Sequence, residues 1–223
     1  MASQTPTVGF DLDMTLIDSR PGIHACYLRL SADTRTHIDA DAAVSRLGPP
    51  LEWELSHWFP EERIPEMVGR YRELYATYAI EPSPALPGAA DAIRAVQELG
   101  GRAIVVTAKN RPQAALHLTH LGLEPDELIG GLWAEAKAEA LRAHGASVYV
   151  GDHTGDVRGA HTAGALSVAV PTGPIGADEL REAGADVLLA DLTRFRPWWK
   201  TYVETYVETY VETYVETYVE KGV

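Results

Sequence analysis

Thr7-Val-Gly-Phe-Asp-Leu-Asp13, near the start of the chain, is a short apolar run that ends in two aspartates. A run of this length, bounded by polar residues, predicts a buried β-strand. Comparable runs follow at residues 102–107, 147–151, 166–170 and 186–189. We therefore predict five strands, the first of which ends beside Asp11 and Asp13.

Helical patterns separate these runs, at residues 89–99, 112–121, 134–144, 157–163 and 177–183. Glycine follows several of them, where a left-handed helix cap is expected. Strands that alternate with helices predict an α/β fold, a Rossmann-like parallel sheet flanked by helices on both faces. In such sheets the ligand binds at the carboxyl ends of the strands.

Residues 19–81 interrupt the alternation, because they carry helical patterns only, at 24–30, 40–47, 52–58 and 61–78. A proline-rich stretch at 81–88 follows them. We predict a small all-helical cap at 19–81 on a core made of residues 1–18 and 82–199. The alternative is that these helices pack as part of a single core.

The chain repeats Thr-Tyr-Val-Glu five times from Thr201 to Glu220. A period of four drifts by about 40° per repeat on a helix, so no apolar stripe persists. In a strand the same residues alternate cleanly between two faces. The sequence leaves helical, extended and disordered states open, and we treat residues 200–223 as a low-complexity tail.

Composition excludes several classes of function. The net charge of −13 has no basic block to offset it, which argues against binding to nucleic acid or an anionic membrane. No apolar run approaches the roughly 18 residues of a membrane helix. Cys26 is the only cysteine and residues 1–7 lack signal-peptide features, so we predict a cytoplasmic protein.

Acidic residues follow two of the predicted strands. Asp11 and Asp13 can supply a nucleophile and a proton donor for attack on phosphorus. Asp152 and Asp156 flank a glycine-containing turn and offer the hard oxygen ligands that suit Mg²⁺. Taken singly, each pair has an ordinary alternative, because acidic residues at strand ends and glycine-rich acidic turns both occur without catalysis or metal.

Thr107 and Ala108 follow the strand at 102–107, where a hydroxyl and backbone N–H groups suit a phosphate oxygen. Thr107 could instead cap the next helix. Lys137 lies in a helical pattern, where a lysine is ordinarily solvated.

In chain order these motifs resemble those of the haloacid dehalogenase superfamily. The order is D-x-D-x-T at 11–15, a hydroxyl residue at 107, a lysine at 137 and G-D-x-x-x-D at 151–156. The longer segment from Phe10 to Ser19 and Leu86-Pro-Gly88 are similar to the phosphoglycolate phosphatase-like branch. The resemblance spans residues 7–195 and implies the same α/β core with a helical cap.

The resemblance implies a role for each matching acidic residue. Asp11 would be the covalent nucleophile and a Mg²⁺ ligand. Asp13 would act as general acid and then general base, and its backbone carbonyl would also bind the metal. Asp152 would complete the metal site. Asp156 would orient Lys137 or a metal-bound water without binding the metal itself, and Thr15 would likewise lie outside the direct metal ligands. Dehalogenating members lack the carboxylate at the position of Asp13, so its presence implies phosphoryl transfer.

Thr107, Ala108 and Lys137 would hold the phosphoryl oxygens of the substrate. Arg46-Leu-Gly-Pro-Pro-Leu51 resembles the cap loop that reaches the active site. Arg46 is therefore a candidate to bind a substrate carboxylate or second phosphate, with a purely structural role as the alternative. Met14 stands where glycine is usual.

Together these features predict a Mg²⁺-dependent phosphatase that hydrolyses a small phosphorylated metabolite, phosphoglycolate or a similar acid, through an aspartyl-phosphate. A phosphomutase or phosphotransferase of the same superfamily is one alternative. A non-catalytic binding protein is another, and the intact set of motif residues argues against it. We expect a monomer or a homodimer.

Overall fold

The computed structural model of the protein describes residues 6–214. Six parallel strands form one sheet: β1 (Thr7–Phe10), β2 (Arg102–Thr107), β3 (Glu127–Gly130), β4 (Ala146–Gly151), β5 (Leu166–Ala169) and β6 (Val187–Leu188). Their order in the sheet is β3-β2-β1-β4-β5-β6, so the first strand lies in the middle. The predicted parallel α/β sheet is confirmed, and all five predicted strands are present. β3 was not predicted.

Both faces of the sheet are buried, which explains why the central strands are continuous apolar runs. In β2, Ala103 and Val105 pack into the larger hydrophobic cluster on one face. Ile104 and Val106 alternate with them and pack into a second cluster, together with Tyr149 of β4. Side chains of successive strand residues point to opposite faces, so one run of sequence serves both clusters.

The residues between β1 and the next core element are helical, as predicted. They form α1 (Arg20–Thr34), α2 (Ala40–Val44), α3 (Leu51–Leu55) and α4 (Ile64–Tyr78), with a 3₁₀ turn at Glu61–Arg63. These helices share a hydrophobic cluster of their own, which includes Leu30, Leu55 and Tyr71. We call them the helical insert, and its status as a separate domain stays a prediction.

Six further helices complete the part of the fold that the structure describes. They are α5 (Ala89–Glu98), α6 (Arg111–Leu121), α7 (Lys137–Ala143), α8 (Thr154–Ala163), α9 (Ala177–Glu182) and α10 (Phe195–Tyr214). Short 3₁₀ turns at Ala134–Ala136 and Leu192–Arg194 precede α7 and α10. None of the helices in the described part of the chain has the length and apolar character needed to cross a membrane.

The repeat tail is helical as far as Tyr214, where the described residues end. Trp199 is fully buried, and Tyr202 packs beside it against the cluster that contains Phe195. Phe195, Trp199 and Tyr202 fall on one helical face, at spacings of four and three residues, so the core extends into the first repeat. The tail predicted from residue 200 thus begins inside α10, and residues 215–223 lie outside the described part.

Candidate active site

The predicted site residues lie at the carboxyl edge of the three central strands. Asp11 and Asp13 follow β1, Thr107 ends β2, and Asp152 follows β4. Because β1 pairs with both β2 and β4, these strand ends are neighbours. The backbone N–H of Asp11 donates to the carbonyl of Val150 at 2.8 Å, which fixes the start of the turn.

Three buried carboxylates form one group at this edge. Asp11, Asp152 and Asp156 each offer an oxygen, and these atoms all lie within 4.8 Å of one another. Burial raises the pKa of Asp11 to about 7 against the opposing effect of Lys137. Burial first, and then repulsion by Asp156 and Asp11, also raises the pKa of Asp152 well above its usual range. The hydroxyl of Thr15 donates to Asp152 Oδ1 at 2.9 Å and orients that carboxylate.

Lys137, the first residue of α7, lies between two of these carboxylates. Its Nζ is 2.9 Å from Asp11 Oδ1 and 2.7 Å from Asp156 Oδ1, and it also donates to the hydroxyl of Tyr149 at 2.8 Å. Burial opposes the charge of Lys137, but Asp11 and Asp156 outweigh it and raise the pKa of the ammonium. Lys137 is therefore a fixed positive charge beside Asp11.

Asp156 has a second structural task at the start of α8. Its Oδ2 accepts the backbone N–H of His153 at 3.1 Å, while His153 Nδ1 accepts the N–H of Gly155 at 3.0 Å. This reciprocal capping arrangement fixes the Gly-containing turn. One carboxylate thus positions both Lys137 and the turn that carries Asp152.

Asp13 contacts a lysine that sequence reasoning left unassigned. Lys109 Nζ lies 3.0 Å from Asp13 Oδ1 and donates to the hydroxyl of Tyr75 in α4 at 2.7 Å. The Tyr75 hydroxyl also lies 2.8 Å from His117 Nε2. Burial, assisted by Lys109, lowers the pKa of His117 to about 4, so this ring is neutral. The contact joins the helical insert to the loop after β2.

Thr107 is buried, and its hydroxyl accepts the backbone N–H of Lys109 at 3.2 Å. A cavity of about 230 Å³ lies in front of it, between the sheet edge and the helical insert. Six predicted residues line this cavity: Asp11, Asp13, Arg46, Thr107, Ala108 and Asp152. The other three lie behind its wall: Thr15, Lys137 and Asp156.

Arg46 is paired within the insert. Its guanidinium makes two hydrogen bonds to Glu54, Nε to Oε2 at 3.0 Å and the second nitrogen to Oε1 at 2.6 Å. The adjoining Gly48 is so close to the core that an added Cβ would lie 2.9 Å from the His153 ring and 3.0 Å from Trp133. The loop that carries Arg46 therefore reaches across the cavity to the core.

Met14, placed where glycine is usual, has a φ of 60°. This left-handed conformation is uncommon for a residue with a side chain. Two hydrogen bonds hold it: its N–H donates to the Ile17 carbonyl at 2.8 Å, and its carbonyl accepts the Thr172 hydroxyl at 2.5 Å. Thr172 and the adjoining Gly173 follow β5 at the same edge. Their position after a predicted strand could have identified them as site residues, but they were not predicted.

The donor set fits a divalent cation. The potential ligand atoms of Asp11, Asp152 and Asp156 are all carboxylate oxygens, the ligand type that Mg²⁺ prefers. The raised pKa values of Asp11 and Asp152 show that two carboxylates are destabilised as anions, which a cation would reverse. Gly173 lies against Asp152 with no room for a Cβ, so the backbone forms a close wall around that carboxylate.

A family model described as haloacid dehalogenase-like hydrolase matches residues 8–161, and a second, described as HAD-hydrolase-like, matches residues 130–195. The chain is 28% identical over 202 residues to the pyrophosphatase PpaX of Halalkalibacterium halodurans, covering 83% of this chain and 93% of that one. It is 26% identical over 215 residues to a phosphoglycolate phosphatase of Caulobacter vibrioides, covering 84% and 91%.

Solved structures share the fold. A haloacid dehalogenase-like family hydrolase from Streptococcus pneumoniae superposes with a TM-score of 0.77 at 23% identity, covering 87% of this chain and 98% of that one. A protein described as a predicted phosphatase from Clostridium acetobutylicum gives 0.76 at 23% identity, covering 91% and 100%.

Proposed function

The chain belongs to the haloacid dehalogenase-like hydrolases, and on that premise we propose that it is a Mg²⁺-dependent phosphatase acting through an aspartyl-phosphate on Asp11. The observation that carries the proposal is the juxtaposition of two unlike carboxylates on one cavity. Asp11 is buried and held by Lys137, whereas Asp13 is one-fifth exposed and faces the same space. The buried, fixed carboxylate of Asp11 suits a nucleophile, and the more exposed carboxylate of Asp13 suits a group that carries a proton.

Asp11, Asp152 and the backbone carbonyl of Asp13 would hold Mg²⁺. When bound, the ion would offset the negative charge of the carboxylates and of the phosphate. Thr107 and Ala108 line the cavity beside them and would bind the phosphoryl oxygens.

With the ion bound, the proton and phosphoryl transfers use side chains of this chain and water. The carboxylate of Asp11 attacks phosphorus, the bond from phosphorus to the leaving oxygen breaks, and Asp13 gives that oxygen its proton. Asp13 next takes a proton from water, which attacks the aspartyl-phosphate and releases inorganic phosphate with Asp11 restored. Lys137, fixed between Asp11 and Asp156, orients the Asp11 carboxylate and favours its charged form before the attack.

Relatives named as a phosphoglycolate phosphatase and a pyrophosphatase support a small phosphorylated substrate. The size of the cavity supports it too, because about 230 Å³ is below the roughly 300–1,000 Å³ of typical ligand pockets. The cytoplasmic location and the monomeric or homodimeric state stay predictions.

Released phosphate, measured over a panel of phosphorylated metabolites with Mg²⁺, tests the proposal. Asp11→Asn should abolish release while the protein stays folded, because an amide does not attack phosphorus. Excess chelator should also stop release, and Ca²⁺ should replace Mg²⁺ poorly because it accepts looser coordination. Activity of more than a few per cent in Asp11→Asn would exclude the covalent mechanism. Transfer of the phosphoryl group to a sugar hydroxyl, without release of inorganic phosphate, would indicate a phosphotransferase instead.

A further inference from the structure

Within the described residues, every lysine and arginine on the cavity wall is already paired with a carboxylate of the same wall. The pairs are Arg46 with Glu54, Arg72 with Glu52 and Lys109 with Asp13, at shortest distances of 2.6, 3.3 and 3.0 Å. Beyond the end occupied by Asp11 and Asp152, the wall therefore carries positive and negative charges in equal number.

The pair of Arg46 and Glu54 is the most strongly fixed of the three. Glu54 receives two hydrogen bonds from Arg46 and a third from the Trp58 indole at 3.1 Å, and its side chain is only 8% exposed. A substrate anion that took Arg46 would leave the Glu54 carboxylate buried without its cation, which is strongly unfavourable. Glu54 would also repel that anion directly.

The cavity wall also has an uncharged hydrogen-bond donor without a partner among the described residues, the side-chain amide of Gln113. Gln113 is 7% exposed and lines the cavity. Its Oε1 accepts from the Asn110 side chain at 2.6 Å, while its Nε2 has no hydrogen-bond partner among the described residues. A buried donor without a partner is costly. The nitrogen has almost no accessible surface, so an oxygen of a bound molecule would satisfy it once the Gln113 side chain turns towards the cavity. This donor is uncharged.

The imidazole on the wall is uncharged as well. The Nδ1 atom of His153 accepts the backbone N–H of Gly155 at 3.0 Å, so that nitrogen carries no proton. Hence neither the basic residues nor His153 supplies the wall with a spare positive charge.

Resting on the proposed function, we infer that the substrate is a phosphate monoester whose remaining part is small, uncharged and hydroxylated, as in a polyol phosphate. Glu54 excludes substrates with a distal carboxylate or second phosphate by holding Arg46, and Gln113 donates to a substrate hydroxyl. This substrate differs from the phosphoglycolate-like acid that the sequence resemblance implies.

A matched pair of substrates tests the inference. Glycerol 3-phosphate and 3-phosphoglycerate differ in one distal group, an alcohol against a carboxylate. The wild-type protein with Mg²⁺ should give a kcat/KM at least about tenfold higher for glycerol 3-phosphate. An equal or reversed ratio would overturn the inference. Failure to release phosphate even from p-nitrophenyl phosphate would instead count against the proposed phosphatase activity.

Glu54→Gln should shift that ratio about tenfold towards 3-phosphoglycerate, because it frees a charged hydrogen-bond donor for the carboxylate. Adding Arg46→Met should cancel the shift. Glu66→Gln is the matched control, since it loosens the exposed ion pair with Arg63 in the same insert, outside the cavity, and should leave the ratio unchanged. An unchanged substrate ratio in folded Glu54→Gln would refute the role of Glu54. If that variant does not fold, the ratio of the two kcat/KM values in the wild-type protein tests the inference.

Gln113→Met tests the hydroxyl contact. It should lower kcat/KM for glycerol 3-phosphate severalfold more than for propyl phosphate, which lacks the hydroxyls. An equal loss on both esters would remove Gln113 from substrate recognition.

Discussion

Gly173→Ala should disable the site while leaving the protein folded. A Cβ added to Gly173 would overlap Oδ2 of Asp152 and would lie 2.7 Å from its Cγ. Carbon atoms in contact stay about 3.5–4.0 Å apart, so the carboxyl group must move by about 1 Å. The displaced group is the end of a short side chain rather than backbone, so the free energy of unfolding should change by no more than about 1 kcal/mol.

The functional cost should be much larger. A displacement of a site group by about 1 Å, as expected for the Asp152 carboxyl group, lowers the rate on the order of 10²-fold. Loss of a well-oriented metal ligand should also raise the Mg²⁺ concentration needed for half-maximal activity, by about 10–100-fold. The assay is phosphate release from p-nitrophenyl phosphate as a function of Mg²⁺, with thermal unfolding measured on the same samples.

Gly176→Ala is the control, because a Cβ at Gly176 meets nothing within 4 Å and lies in the same loop. It should keep wild-type activity and Mg²⁺ dependence. If Gly173→Ala remained within twofold of wild type in both measurements, Asp152 would not be a metal ligand held in the position described.

Three further predictions address catalysis, pH and packing. Asp13→Asn should lower kcat by about 10²–10⁴, with a smaller loss for esters that have good leaving groups; equal losses on all esters would contradict general acid catalysis. Burial raises the pKa of Asp11 to about 7, and the carboxyl must lose its proton to bind a cation. Asp152, whose pKa is also raised, must lose its proton too, so the half-saturating Mg²⁺ concentration should rise at least about tenfold per pH unit below 7; a flat profile from pH 5.5 to 7 would rule this out. Gly22→Ala should lower the free energy of unfolding by about 1–3 kcal/mol, because its Cβ would overlap the Ala79 carbonyl oxygen and lie 2.5 Å from Ser83 Oγ; an unchanged melting temperature would show that α1 and α4 can separate without cost.

The sequence predicts the centre of the sheet better than its edge. β2 and β4 are buried on both faces and appear as unbroken apolar runs. The same argument does not find β3 (Glu127–Gly130), because all four of its residues are half-buried and, within residues 6–214, it pairs with β2 alone. Helix boundaries shift for local reasons: α1 begins at Arg20, four residues before the predicted start, since Pro21 fits the first helical turn.

Position along a strand was sufficient to predict that some of the site residues lie together, but it did not predict the contacts of others. Asp11, Thr107 and Asp152 end or follow adjacent strands, so the fold alone brings them together. The contact of Lys109 with Asp13 spans 96 residues of sequence and is completed by Tyr75 from the helical insert. Such a contact depends on how the insert packs on the core, which no local pattern specifies.

The place of β1 in the middle of the sheet has a consequence for how the protein is made. Thr7–Phe10 is synthesised early, yet Val8 pairs with Val148 of β4, 140 residues later in the chain. At synthesis rates of about 5–20 residues per second, the strand that leads to Asp11 waits roughly 7–28 s for that neighbour. During this interval its apolar side chains lack one of their two partner strands, and the late, long-range pairing slows closure of the sheet. We expect nascent chains that end before β4 to be inactive and prone to association, and the acidic charge of the chain as a whole to oppose that association.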